Sequence, residues 1–270
     1  MGRLIAIDFY KIFRTKFFYI IGLVLVGLCV LSSVSFVQAA LKNYDMVGMT
    51  GGTAEFSKAA WRMVFLNFGN MDMCLVILTI LFLCSEFSFG TMKNIATKGY
   101  SRESIYLSKF FVSLFCMAIY LILTVVTSLV TSLFAGATRL TDFYSFPSNI
   151  VMPFLFSLLF FAVYISLALM ISSLIRKSGS ALAIYVALTL VLNIVPGLLR
   201  NFIFSTFNKE FDLSKYLYSG CFAEISQYGY GFFNATGLPS ENFARYLCVG
   251  LFFLVLTLGV GIYYFREKDI

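Results

Sequence analysis

The chain contains no histidine. That absence removes the side chain used most often in general acid–base catalysis, in Ser–His and Cys–His nucleophile pairs and in the common zinc sites. Charge is scarce as well. Only 12% of the 270 residues are Asp, Glu, Lys or Arg, where a soluble domain carries about 25%. With 60% hydrophobic residues and a mean hydropathy of +0.90, a water-soluble globule is excluded. No Gly-x-x-x-x-Gly-Lys-Ser/Thr loop occurs, so ATP has no phosphate cradle of that kind here. No carboxylate pair falls inside an apolar run. Five of the six cysteines (Cys29, Cys74, Cys84, Cys116, Cys248) lie in or beside apolar runs, where they act as small apolar residues. Cys221 stands alone, so there is neither a disulfide framework nor a metal-ligand spacing. The residues point away from an enzyme and away from a resident cofactor or metal.

What the chain does have is six uncharged or nearly uncharged stretches, at about 17–37, 64–85, 110–135, 151–175, 181–199 and 246–265. Each is long enough, or nearly so, for the ~20 helical residues that cross a ~30 Å hydrocarbon core. Short alternating strands, as a barrel would need, are missing. The expected fold is all-α, one polytopic membrane domain over 1–270 without internal repeats. The 17–37 run ends near Val37-Gln38-Ala39, which resembles a cleavage site, but its 21 residues exceed the roughly 7–15 of a signal-peptide core. It is read as a retained span.

Six spans put both termini on one side. That side collects Arg3, Lys11, Arg14, Lys16, Lys93, Lys98, Arg102, Lys109, Arg176, Lys177, Arg266 and Lys268 against five acids, whereas the other side is near neutral. Basic flanks mark the cytoplasm, so both termini are expected to be cytoplasmic, in the cell membrane. The basic balance of the chain, +7 overall, is thereby absorbed by topology, with no nucleic acid called for. Residues 1–16 read as an amphipathic interfacial helix, with Ile5, Phe9, Ile12 and Phe13 on one face and Arg3, Lys11 and Arg14 on the other. Residues 200–244, rich in Tyr, Phe and Gly, are expected to form a small outer cap. There Cys221 should meet an impermeant thiol reagent.

Two groups of polar residues interrupt this pattern. The weak second span carries Asn67, Asn70 and Asp72, and Asp72 would sit ~21 Å from Glu86 along a helix. A carboxylate in a span costs about 2.5–3.5 kcal/mol on insertion scales. Asp72 therefore either faces a polar path for substrate or lies at the interface because the span begins late. The third span carries Thr124, Thr127, Ser128 and Thr131 at helical spacing. Such a hydroxyl stripe suits close helix packing or contact with a substrate. Pro153 and Pro196 are expected to break their helices locally.

Between spans two and three, residues 86–109 have the punctuation of a docking element. Thr91 can cap a short helix, Gly99 can end it in a left-handed turn, and Ser101 can cap the next helix. Asn94 and Lys98 share a face of the short helix, with Met92 and Ile95 elsewhere on it. Lys93 and Lys98 also fit plain positive-inside charge.

These residues carry a resemblance. Glu86-Phe87-x-x-Gly90-Thr91, followed by Ser101-Arg102, Tyr106 and Lys109, resembles the signature of the type-2 ATP-binding-cassette (ABC) permeases. The basic N-terminal helix, the Arg176-Lys177-Ser178-Gly179 turn and the closing Phe265-Arg-x-Lys-Asp269-Ile270 are similar to that family too. The resemblance implies a cytoplasmic coupling helix that rests on an ATPase, carried here by Glu86, Gly90, Thr91, Asn94, Ile95, Lys98, Gly99 and Arg102, with Glu86 and Arg102 pairing or capping. It further implies a second permease copy or homologue, and a separate ATPase chain that binds ATP and Mg. The expected function is the permease subunit of an ATP-driven exporter of a hydrophobic drug or antimicrobial peptide. The path residues would be Asn67, Asn70, Asp72, Thr124, Thr127, Ser128 and Thr131. A secondary transporter and a non-transporting immunity or interaction protein are the alternatives.

Overall fold

The computed structural model describes residues 2–47, 53–88, 90, 100–134, 151–207, 213–227 and 240–267. Among them eight α-helices follow one another: α1 Gly2–Arg14, α2 Lys16–Val47, α3 Thr53–Ser88, α4 Arg102–Phe134, α5 Val151–Ile175, α6 Ser178–Phe207, α7 Tyr218–Gln227 and α8 Phe243–Glu267. Six of them contain stretches long and apolar enough to cross a membrane: Lys16–Phe36, Met63–Ser88, Arg102–Ser132, Val151–Ile175, Ser178–Arg200 and Phe243–Glu267. The protein is an all-α, multi-pass membrane protein. Helices suit that setting because each backbone N–H finds its carbonyl within its own segment, where lipid offers no partner.

The most enclosed helix is α5, whose Phe160, Phe161, Val163, Ile165 and Leu169 are all buried. It packs on α8 and α3, and α3 packs in turn on α2 and α4. Helix α6 is the least enclosed and turns Leu190, Val191, Ile194 and Leu198 outward, a surface that suits lipid chains. Contacts between α1 and α4, and between Arg266 and Glu103, set the beginning of α1 and the end of α8 at the same end of the bundle, here called the terminal end.

Three local expectations change. Pro196 lies inside a continuous α6. Pro153 occupies the first turn of α5, where its missing N–H would have had no helical partner anyway. Neither breaks its helix. Third, residues 213–227, expected on top of the bundle, are tucked into it. The ring of Tyr218 packs edge-on against Tyr164 and Phe253, each at 5.3 Å. Those partners lie about 20 Å and 15 Å along α5 and α8 from their far ends at 1.5 Å per residue. The rings of Tyr218 and Phe222 in this segment serve burial between helices.

Helix α1 also docks differently from its expected face. Leu4, Asp8 and Ile12 are its buried residues, while Phe13 remains at the surface. The helix stops at Thr15, whose N–H and hydroxyl both donate to the Ile12 carbonyl at 3.1 and 2.7 Å, and the chain turns into α2.

Candidate functional site

At the terminal end, the end of α3 and the start of α4 set up a buried ionic cluster. Helix α3 ends at Ser88, and Gly90, at φ 64°, closes the turn by donating to the Phe87 carbonyl at 3.2 Å. A left-handed residue just past a helix end is a glycine position, because a Cβ there would crowd the backbone. Helix α4 starts under the expected cap, with the Ser104 N–H donating to Ser101 Oγ at 3.3 Å. Two turns later Lys109 points inward. Its Nζ lies 2.5 Å from Asp8 Oδ1 and 2.6 Å from Glu86 Oε2, and 4.9 Å from the centre of the Phe82 ring. The Ser108 hydroxyl donates to Asp8 Oδ2 at 2.8 Å, and Lys11 Nζ donates to Glu86 Oε1 at 3.1 Å. Asp8 and Lys109 are 0% exposed.

Two cations against two carboxylates leave this cluster neutral. That balance makes its burial tolerable, since an uncompensated charge in such a place costs about 3–5 kcal/mol. The cluster locks α1 to α3 and α4. Around it the other terminal-end segments converge. Phe265 packs on Phe87 at 6.2 Å and on Tyr106 at 5.7 Å. The Arg176 guanidinium lies 5.3 Å over Phe87, held by a left-handed backbone at φ 59°. Arg102 donates to the Arg266 carbonyl at 2.7 Å.

Of the expected coupling residues, Glu86, Gly90 and Arg102 fall in this convergence. Thr91, Asn94, Ile95, Lys98 and Gly99 lie outside the described residues. Asp8, Ser108 and the inward role of Lys109 were missed by the sequence reading. Two signals pointed to them: a carboxylate on the apolar side of a basic helix, and a lysine followed directly by the apolar run that begins at Phe110.

The expected path residues separate into two places. Asn67 is buried between α2, α3 and α4, and its Nδ2 donates to Ser33 Oγ at 3.0 Å and to Ser128 Oγ at 2.8 Å. Ser32 and Asn70 both donate to Asn67 Oδ1. Thr124, Thr127, Ser128 and Thr131 return their hydroxyls to carbonyls three or four residues earlier in α4. This is a helix seam closed by polar contacts.

Asp72 belongs elsewhere. It lies about 140° around α3 from Asn67, five residues on at 100° each, and inside the Met63–Ser88 span. There it borders a cavity of about 530 Å³ between α3, α5, α6 and α7, with Tyr164, Tyr185, Thr189, Asn193 and Ser226 on its walls. Helix α7 is fixed beside it by Glu224, whose Oε2 accepts from Arg245 Nη2 at 2.5 Å and from the Tyr246 hydroxyl at 2.9 Å. Cys221 is fully buried rather than open to solvent, its thiol donating to the Lys215 carbonyl at 3.2 Å. Burial pushes that thiol up to about 11. Among the described residues no cluster of Cys, Asp and Glu could hold a metal ion.

One family profile matches residues 21–270, and its description is "Protein of unknown function (DUF2705)". The chain belongs to this family. No curated protein matches it. In this DUF2705 member the matched region takes in Glu86, Lys109 and the Asp72 cavity, while Asp8 and Lys11 precede it. The ionic cluster therefore ties a helix outside the match to two helices within it.

Proposed function

We propose that the chain is the membrane subunit of an ATP-driven exporter of the type-2 ABC kind. It would carry a hydrophobic drug or antimicrobial peptide across the cell membrane while a separate ATPase chain binds ATP and Mg. The observation that carries this reading is the Asp8–Lys109–Glu86–Lys11 cluster. It joins the N-terminal helix rigidly to both helices that flank the 91–99 segment. A push on that segment from a cytoplasmic partner would move α1, α3 and α4 as one body, as coupling to an ATPase requires. The convergence of Arg176, Phe265 and Arg266 on the same end supports a docking platform. A second permease copy would complete the transport path, and both termini would face the cytoplasm.

Affinity purification of the tagged chain from its own membranes tests the reading. The expected result is a co-purifying chain with a phosphate-binding Gly-rich loop and ATPase activity, whose hydrolysis Ile95→Asp uncouples from transport. Purification of the chain with no such ATPase would overturn it.

A second reading, ion-driven transport by this chain alone, draws on Asp72 beside the cavity. It predicts uptake or efflux driven by a pH or ion gradient in vesicles that hold only this chain.

A further inference from the structure

The Asp72 cavity has properties that the exporter reading does not use. Its walls are mostly apolar, as in small-molecule sites, and its volume of about 530 Å³ falls in the ~300–1,000 Å³ range of such sites. Among the described residues Asp72 has no ion-pair partner and the walls hold no Lys or Arg. A lone carboxylate within a span is costly unless a cation or a polar cavity compensates it. Tyr164, Tyr185 and Phe222 bring aromatic rings to the same space, and aromatic faces attract cations. At the mouth Asn193 is exposed on α6 among Leu190, Val191 and Ile194. An amide so placed gains nothing from lipid and suits a polar entrance.

From this juxtaposition we infer that the cavity binds an amphiphilic organic cation, a protonated amine or quaternary ammonium on an apolar body, with Asp72 as its counter-ion. Anionic ligands fit poorly, because among the described residues the walls offer one carboxylate and no basic group. A phospholipid's ammonium travels with a phosphate for which the described walls offer no cation, so a free amphiphile is the better match. The apolar body fills the space between α3 and α6, the rings of Tyr164 and Tyr185 flank the charge, and Thr189, Asn193 and Ser226 accept or donate to polar substituents. This inference narrows the substrate class of the proposed exporter and rests on that reading only for the direction of movement.

Binding is measured on the purified full chain in detergent, without any ATPase, so a failure here is separable from a failure of the exporter reading. Radiolabelled tetraphenylphosphonium is the cationic probe and triphenylphosphine oxide the uncharged comparator. The expected result is at least tenfold tighter binding of the cation by wild type. Asp72→Asn, nearly isosteric, should abolish that preference while changing comparator binding less than twofold. Ala223→Trp, which fills the α7 wall, should weaken both ligands while the chain elutes as wild type in gel filtration. Equal binding of the two ligands by wild type would overturn the inference. So would a cation preference that survives in Asp72→Asn, or binding of neither ligand. Because the first comparison uses wild type alone, it stands even if a variant misfolds.

Discussion

Lys109 Nζ lies 2.5 Å from Asp8 Oδ1, and both residues are completely buried although 101 positions separate them in the chain. The pair turns an amphipathic helix, which could otherwise lie loosely on a membrane surface, into a fixed part of the bundle. Removing Lys109 should be the most damaging single change in the cluster, because it leaves two buried carboxylates with Lys11 alone. Lys109→Met is expected to cost about 3–5 kcal/mol. Asp8→Asn should cost less, since Lys109 retains Glu86. Thermal unfolding of the purified chain in detergent checks the order, which a larger loss in Asp8→Asn would contradict.

Gly261 faces the Tyr106 ring so closely that an added Cβ would lie 2.1 Å from the hydroxyl oxygen. Gly261→Ala should therefore destabilise the contact of α8 with α4 by about 1–3 kcal/mol, as overpacking does. Tyr106→Leu in the same chain should recover part of the loss, giving a double mutant better than the sum of the singles. Strict additivity of the two melting shifts would show that the two residues do not collide.

Cys221 should resist water-soluble maleimides at neutral pH, both because it is buried and because its thiol, pushed up to about 11, is hardly ionised there. Reactivity should rise only as pH climbs towards that value, whereas an unfolded cysteine, near 8.5, reacts much earlier. Glu241→Cys, at an exposed position just before α8 and at the end of the bundle opposite the termini, should react readily from outside intact cells. A cysteine substituted for Lys177 should not, if the termini are cytoplasmic. Comparable external labelling at both positions would break that orientation.

The spans were legible because lipid imposes a simple rule, about 20 predominantly apolar residues each, and runs such as 151–175 obey it without a single charge. The cap on α4 was legible too, since Ser101 lies immediately before the helix it caps. The ionic cluster was not. Asp8 breaks the apolar face of α1 and, by pattern alone, reads as a solvent marker; only its distant partner makes it a core residue. Lys109 likewise reads as the edge of a basic loop. Residues 213–227 misled for a related reason. Aromatic, glycine-rich sequence after a span fits a surface cap, and nothing local reveals that Tyr164 and Phe253 leave room for Tyr218 between them. Asp72 and Asn67, five residues apart, seemed to share one path until the turn of the helix sent them to opposite sides.

Polar closure of the α2–α3–α4 seam makes a further separable prediction. Asn67→Leu loses the amide that holds Ser33 and Ser128. It should lower stability by about 1–3 kcal/mol, the cost of orphaned buried partners, with cation binding in the Asp72 cavity unchanged within twofold. Loss of binding without loss of stability would place Asn67 on the ligand path instead.

The central claim is that this chain moves substrate only when a partner hydrolyses ATP. The most direct measurement reconstitutes the chain with its co-purifying ATPase in vesicles and follows transport of a labelled amphiphilic cation, with ATP hydrolysis measured in parallel. The account predicts transport that requires ATP, with hydrolysis stimulated by the cation. In Ile95→Asp and Gly99→Val, inserted normally, transport should be lost and stimulation with it. Transport driven by an ion gradient with no nucleotide present, or ATP turnover by this chain on its own, would contradict it.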